Sequence, residues 1–155
     1  MKRASLAVLA VLVAVAAVVA GCGSDSDTSA SLTKAQFIKQ ADAICKKENA
    51  AIETEFEKFA KENNIPTNKE PNKEQGEELV EQVLIPNVKN QSEQIRDLGA
   101  PSGEEDRVET LLDTLDEGIE EAEDDPAALF TAKTDPFGKA NKLAREFGLE
   151  ACGEE

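Results

Sequence analysis

The chain has 155 residues, with 32 Asp and Glu against 17 Lys and Arg, a net charge of −15, and no His, Trp or Tyr. That balance argues against a nucleic-acid partner, because phosphates are neutralised by clustered Lys and Arg, and against charge-driven adsorption to an anionic bilayer. The missing His removes the commonest general base and metal ligand, and the missing Trp and Tyr remove the usual rings for stacking on bases or sugars.

Lys2 and Arg3 open the chain, and Leu6 to Ala20 follow as fifteen residues without a polar side chain. A bilayer span takes about 20 apolar residues and a signal-peptide core about 7–15. Small and acidic residues follow the run where an uncut anchor would have a positively charged stop, so the segment predicts a cleaved signal peptide. It ends in Val19-Ala20-Gly21-Cys22: an aliphatic residue, two small residues, then cysteine. This order resembles the lipobox of bacterial lipoproteins, with Val19 in the place more often taken by leucine. The resemblance implies that residues 1–21 are removed and that the Cys22 sulfur carries a diacylglyceryl group. The protein would then be lipid-anchored at the extracytoplasmic face of the cell membrane, since two acyl chains hold firmly where one binds only marginally. An ordinary signal peptide cut near a cysteine is the alternative. Residues 22–32 form a tether in which Gly23 to Ser31 read GSDSDTSAS, with no bulky apolar residue to offset ordering entropy. As a flexible coil these residues reach about 15–18 Å.

The body, residues 33–155, reads as one all-α domain. Leader removal leaves 134 residues, enough for one domain with a core. Thr33 with Gln36 fits a capping box, and Leu32 can pack on Phe37 across it. Phe37, Ala41, Ile44, Cys45, Ile52, Phe56 and Phe59 recur at helical steps with charges between them, predicting a first helix that ends near Asn63-Asn64. Pro66 and Pro71 mark a loop. A second helix is predicted from about Lys73 to Leu98 on the stripe Val80, Leu84, Val88, Ile95 and Leu98. It should kink at Pro86 and be capped by Gly99. Ser102 with Glu105 signals a third helix carrying Val108, Leu111, Leu112, Leu115, Ile119 and Ala122. Asp125-Pro126 ends it and starts a short turn through Phe130. Asp135-Pro136 opens a fourth helix with Phe137, Ala140, Leu143, Ala144 and Phe147, closed by Gly148. No strand-like alternation appears, so the expected architecture is a four-helix bundle.

With Cys22 assigned to lipid, Cys45 and Cys152 remain as an even pair in an exported chain, which predicts a structural disulfide. Two separately buried thiols are the alternative. A C-x-x-C redox motif is absent. Beyond the lipobox, Phe37, Ala41, Ile44 and Cys45, then Leu98-Gly99-Ala100-Pro101, then Ala140-Asn141, Ala144, Phe147-Gly148-Leu149 and Cys152 are similar to a group of small helical actinobacterial lipoproteins. That likeness supports the disulfide and the fold, and carries no catalytic or binding residue.

The sequence holds no glycine-rich phosphate loop, no G-x-S-x-G and no metal-spaced Cys/His set, and it points to no cofactor and no enzymatic activity. Two functions stay open. One is a binding or interaction module for a protein, peptide or small ligand, which a deep apolar cavity between helices would favour. The other is an acidic structural or cation-binding envelope protein. Residues 102–125 carry twelve acids against the single base Arg107, whereas residues 33–64 balance six Lys with six acids. Asp113, Glu117, Glu120, Glu121 and Asp124 recur at helical steps on one face. They are candidates either for a solvated face or for a weak site for Ca²⁺ or a basic partner. A hydrolase with unusual catalytic groups is a remote third reading.

Overall fold

A computed structural model describes residues 31–66, 69, 71–130 and 135–154. The leader 1–21, Cys22 and the tether through residue 30 lie outside the described residues. Those described form helices and turns without strands: α1 (Lys34–Glu62), α2 (Lys73–Leu79), a π turn (Val80–Leu84), α3 (Ile85–Asp97), α4 (Glu105–Asp124), a 3₁₀ turn (Pro126–Phe130), α5 (Gly138–Phe147) and a terminal 3₁₀ turn (Ala151–Gly153). Because α2, the π turn and α3 run on without interruption, the architecture is the expected bundle of four helices. No helix among the described residues is long and apolar enough to cross a membrane.

The helix ends follow from local chemistry. At α1 the Thr33 hydroxyl accepts from the Gln36 N–H, and the Gln36 side chain accepts in return from the Thr33 N–H at 3.0 Å. Leu32 packs into the cluster that holds Phe37. Asn72 and Gln75 build a second capping box at the start of α2. Gly148 ends α5 at φ +107°, a left-handed conformation that side chains disfavour, and the Leu149 N–H reaches back to the Ala144 carbonyl at 2.9 Å. The start of α4 differs from expectation. Gly103, at φ +84°, turns the chain first, so the helix begins at Glu105 and Ser102 caps nothing. The Ser102 hydroxyl instead bonds that of Ser31 at 2.7 Å, and the Glu105 carboxylate accepts from the Gly103 N–H.

Pro86 perturbs the hydrogen-bond ladder of the second helix without stopping the helix. Lacking an N–H, it cannot serve the carbonyl one turn back. The chain responds with a widened turn in which the Ile85 N–H reaches Val80, five residues earlier. Asn87 then donates a side-chain hydrogen bond to the Val83 carbonyl at 2.8 Å.

In the bundle α1 packs on α3, α3 on α4, α4 on α5, and the terminal turn returns to α1. The Cys45–Cys152 disulfide, spanning a sequence separation of 107, fastens that return. The largest core cluster gathers Phe37, Cys45, Ile95, Leu112, Phe147 and Leu149 around this staple. Val80, Ile85, Val88, Ile119 and Ala122 form a second cluster, and Phe59, Leu79 and Val83 a third near the far end of α1. Two expectations for the α1 stripe fail. Phe56 is 42% exposed, and Glu48, which reads as a solvated charge, is buried.

Candidate functional site

The polar interior begins at Glu48. Only 3% exposed, it lies one turn after Cys45 and faces α3. Its carboxylate accepts from Lys47 Nζ at 2.8 Å, Asn90 Nδ2 at 3.0 Å and Gln94 Nε2 at 2.8 Å. These bonds, led by that from Lys47, hold the Glu48 carboxyl below the usual glutamate value despite its burial. Two turns on, Glu55 accepts from Asn87 at 2.8 Å. The α1–α3 contact is therefore an acid-to-amide seam running beside the apolar core.

Next to this seam is a cavity of about 150 Å³ between α1, α3, α4 and α5. Its walls are apolar, among them Ile52, Val88, Ile95, Leu111 and Phe137, and the disulfide sulfurs belong to residues lining one end. Polar groups enter from three helices: Asn49 from α1, Gln91 from α3 and Asn141 from α5. Gln91 differs from its amide neighbours. It is 9% exposed, yet its side chain has no hydrogen-bond partner among the described residues, whereas Asn87, Asn90 and Gln94 are all engaged on α1. The Gln91 carboxamide therefore faces space that water or another polar group can occupy. No buried side-chain nitrogen or oxygen among the described residues is sealed off without a partner, so the Gln91 amide atoms border open space. No Lys or Arg lines the cavity, and Glu154 is its one acid.

A second cavity, of about 210 Å³, is lined by apolar residues alone: Ile52 and Phe56 of α1, Leu79 of α2, Val80, Val83 and Leu84 of the π turn, and Leu129. Ile52 and Leu84 line both cavities, so these two side chains form the partition between them.

The acidic candidates stand elsewhere. Asp113, Glu117, Glu120, Glu121 and Asp124 are all on the exposed side of α4. Arg96 of α3 bridges Asp116 at 2.7 Å and Asp113 at 3.9 Å, and Lys139 of α5 reaches Glu117 at 3.4 Å. Lys89 of α3 also bridges Glu123 at 2.6 Å, so cations of both flanking helices meet the acidic run, while Glu120, Glu121 and Asp124 are exposed. Among the described residues no three His, Cys, Asp or Glu side chains converge to hold a metal ion.

Sequence reasoning missed Glu48, Asn87 and Gln91 because it assigned polar residues to the outside. A signal was present: Asn87, Asn90, Gln91 and Gln94 place four carboxamides at helical spacing where a solvated face would carry charges. Set against known proteins, the chain matches no protein-family model, no curated protein and no solved structure.

Proposed function

We propose that this chain is a lipoprotein anchored through Cys22 at the extracytoplasmic face of the cell membrane, and that its helical domain, residues 33–155, is a binding module for a small ligand. One observation carries the ligand reading: a cavity among four helices into which Gln91 brings an unengaged carboxamide. Apolar walls supply most of the affinity of such a site, and a few placed polar groups fix orientation. At 150 Å³ it has the size of a cavity that takes a benzene-sized molecule.

Two experiments test the two halves. Cys22→Ser abolishes incorporation of labelled fatty acid and blocks normal maturation; wild-type protein found free in the medium with no acyl mass on its N-terminal peptide would refute the anchor. For the cavity, Ala140 is 4% exposed and lines it from α5. Ala140→Leu fills space there, so it abolishes the methyl NMR shifts that benzyl alcohol causes at Ile95 and Val88 while leaving thermal stability equal or higher. Shifts that persist in this variant would place binding outside the cavity.

A further inference from the structure

Resting on the cavity reading above, we infer that the ligand is an uncharged elongated molecule with a hydrogen-bonding head in the first cavity and an alkyl tail in the second. The head groups are carboxamides: Gln91 and Asn141 line the cavity with donors and acceptors, and Asn49, whose Nδ2 also donates to the Ala151 carbonyl at 3.4 Å, adds a carbonyl acceptor. They suit a hydroxyl, ester or amide. A carboxylate or phosphate head is disfavoured, because neither cavity is lined by a Lys or Arg, Glu154 lines the first, and the chain carries a net charge of −15.

The length follows from the volumes. A cavity of 150 Å³ accommodates about six carbons, and on the same scale the two cavities together take a chain of about fourteen. Continuity between them depends on Ile52 and Leu84, which are partly buried and reach their positions from α1 and the π turn. Side chains of this kind have other staggered rotamers, so joining the two spaces takes a rotamer change at one of them. The π turn is the segment whose backbone already departs from α geometry, and it supplies Val80, Val83 and Leu84 to the tail cavity. At the rim of this cavity stands Phe56, the one large apolar side chain left exposed among the described residues. An apolar tail seated here would cover it.

The probes are hexanol and tetradecanol, each with a photoreactive diazirine on its last carbon. They are applied to the full chain held in phosphatidylcholine nanodiscs, and the labelled peptides are mapped by mass spectrometry. Hexanol labels residues of the first cavity, such as Val88 and Leu111. Tetradecanol labels Phe56, Val83 or Leu129. Leu129→Trp, which plugs the tail cavity, removes the tetradecanol label. Phe56→Ala, a truncation at an exposed position that spares the core, weakens that label as well. Hexanol labelling in the first cavity with no tetradecanol label in the second overturns the elongated ligand and leaves the small-ligand site standing. Absence of label from both cavities overturns both readings. Tetradecanoate that labels as strongly as tetradecanol overturns the uncharged head.

Discussion

Glu48→Gln is the most searching perturbation of the interior, because it removes one charge and almost no volume. In the native protein the carboxylate accepts from two α3 carboxamides, Asn90 and Gln94, at 3.0 and 2.8 Å. Hydrogen bonds to a charged group contribute roughly 1.5–3 kcal/mol each. The glutamine keeps one acceptor oxygen and turns an NH₂ group toward the other donor, so one charged bond is lost and the second is weakened. The variant should lose about 2–3 kcal/mol at neutral pH. The hydrogen bond from Lys47 does most to lower the Glu48 carboxyl, but the Lys47 side chain is 70% exposed, and an exposed pair is worth about 0–1 kcal/mol. Lys47→Ala should therefore change stability far less than Glu48→Gln. The dependence on pH has a definite sign. The native carboxyl titrates below the ordinary value of 4.5, so the unfolded chain takes up the proton first as pH falls. The stabilisation is complete above that value and disappears as pH drops through the native one. Urea unfolding of both proteins at neutral pH and near pH 3 measures this. A variant within about 0.5 kcal/mol of wild type at neutral pH, or a difference that persists undiminished in acid, would refute the reasoning.

Removing the staple by Cys152→Ser should cost about 4–5 kcal/mol on chain-entropy grounds for so long a loop; a loss below about 1 kcal/mol in urea unfolding would mean that packing alone fixes the terminal turn. Gly118→Ala sets two effects against each other. Helix propensity favours alanine by about 1 kcal/mol, but a Cβ there would sit 2.5 Å from the Pro136 carbonyl oxygen, and overpacking costs typically 1–3 kcal/mol; a lowered melting temperature is expected, and a raised one would show that the α4–α5 connection yields freely.

Where one physical term dominates, the sequence is legible. The capping box at Thr33, the left-handed glycines at 99 and 148 and the Asp125-Pro126 end of α4 each follow from a local rule that no packing choice opposes, and the pairing of Cys45 with Cys152 follows from there being no other pair once Cys22 is set aside. Ser102 illustrates the contrary case. Its spacing to Glu105 satisfies a capping pattern, but Gly103 between them permits a turn that the pattern ignores, and the helix starts later. Phe56 fails for a related reason. Helical periodicity gives the mean direction of a stripe, and at residue 56 the neighbouring helix presents a π turn and a cavity instead of a filled surface.

The candidate site was hidden by the same assumption that made the fold readable. Assigning apolar residues inward and polar ones outward recovers four helices, because most burial obeys it. Here α3 departs from it at one stripe. Its carboxamides at 87, 90 and 94 reach acids on α1, and Gln91, itself buried, has no side-chain hydrogen-bond partner among the described residues. The acidic run on α4, by contrast, is conspicuous in the sequence and is an exposed face in the structure, tied to Arg96 and Lys89 of α3 and to Lys139 of α5. Charge count draws attention to α4, whereas the buried polar contacts lie between α1 and α3. A carboxamide carries no net charge and leaves no mark on composition, so the stripe on α3 shows only in the spacing of residues 87, 90, 91 and 94. On the ligand reading proposed above, the unengaged Gln91 amide is where a bound polar group would find its partner.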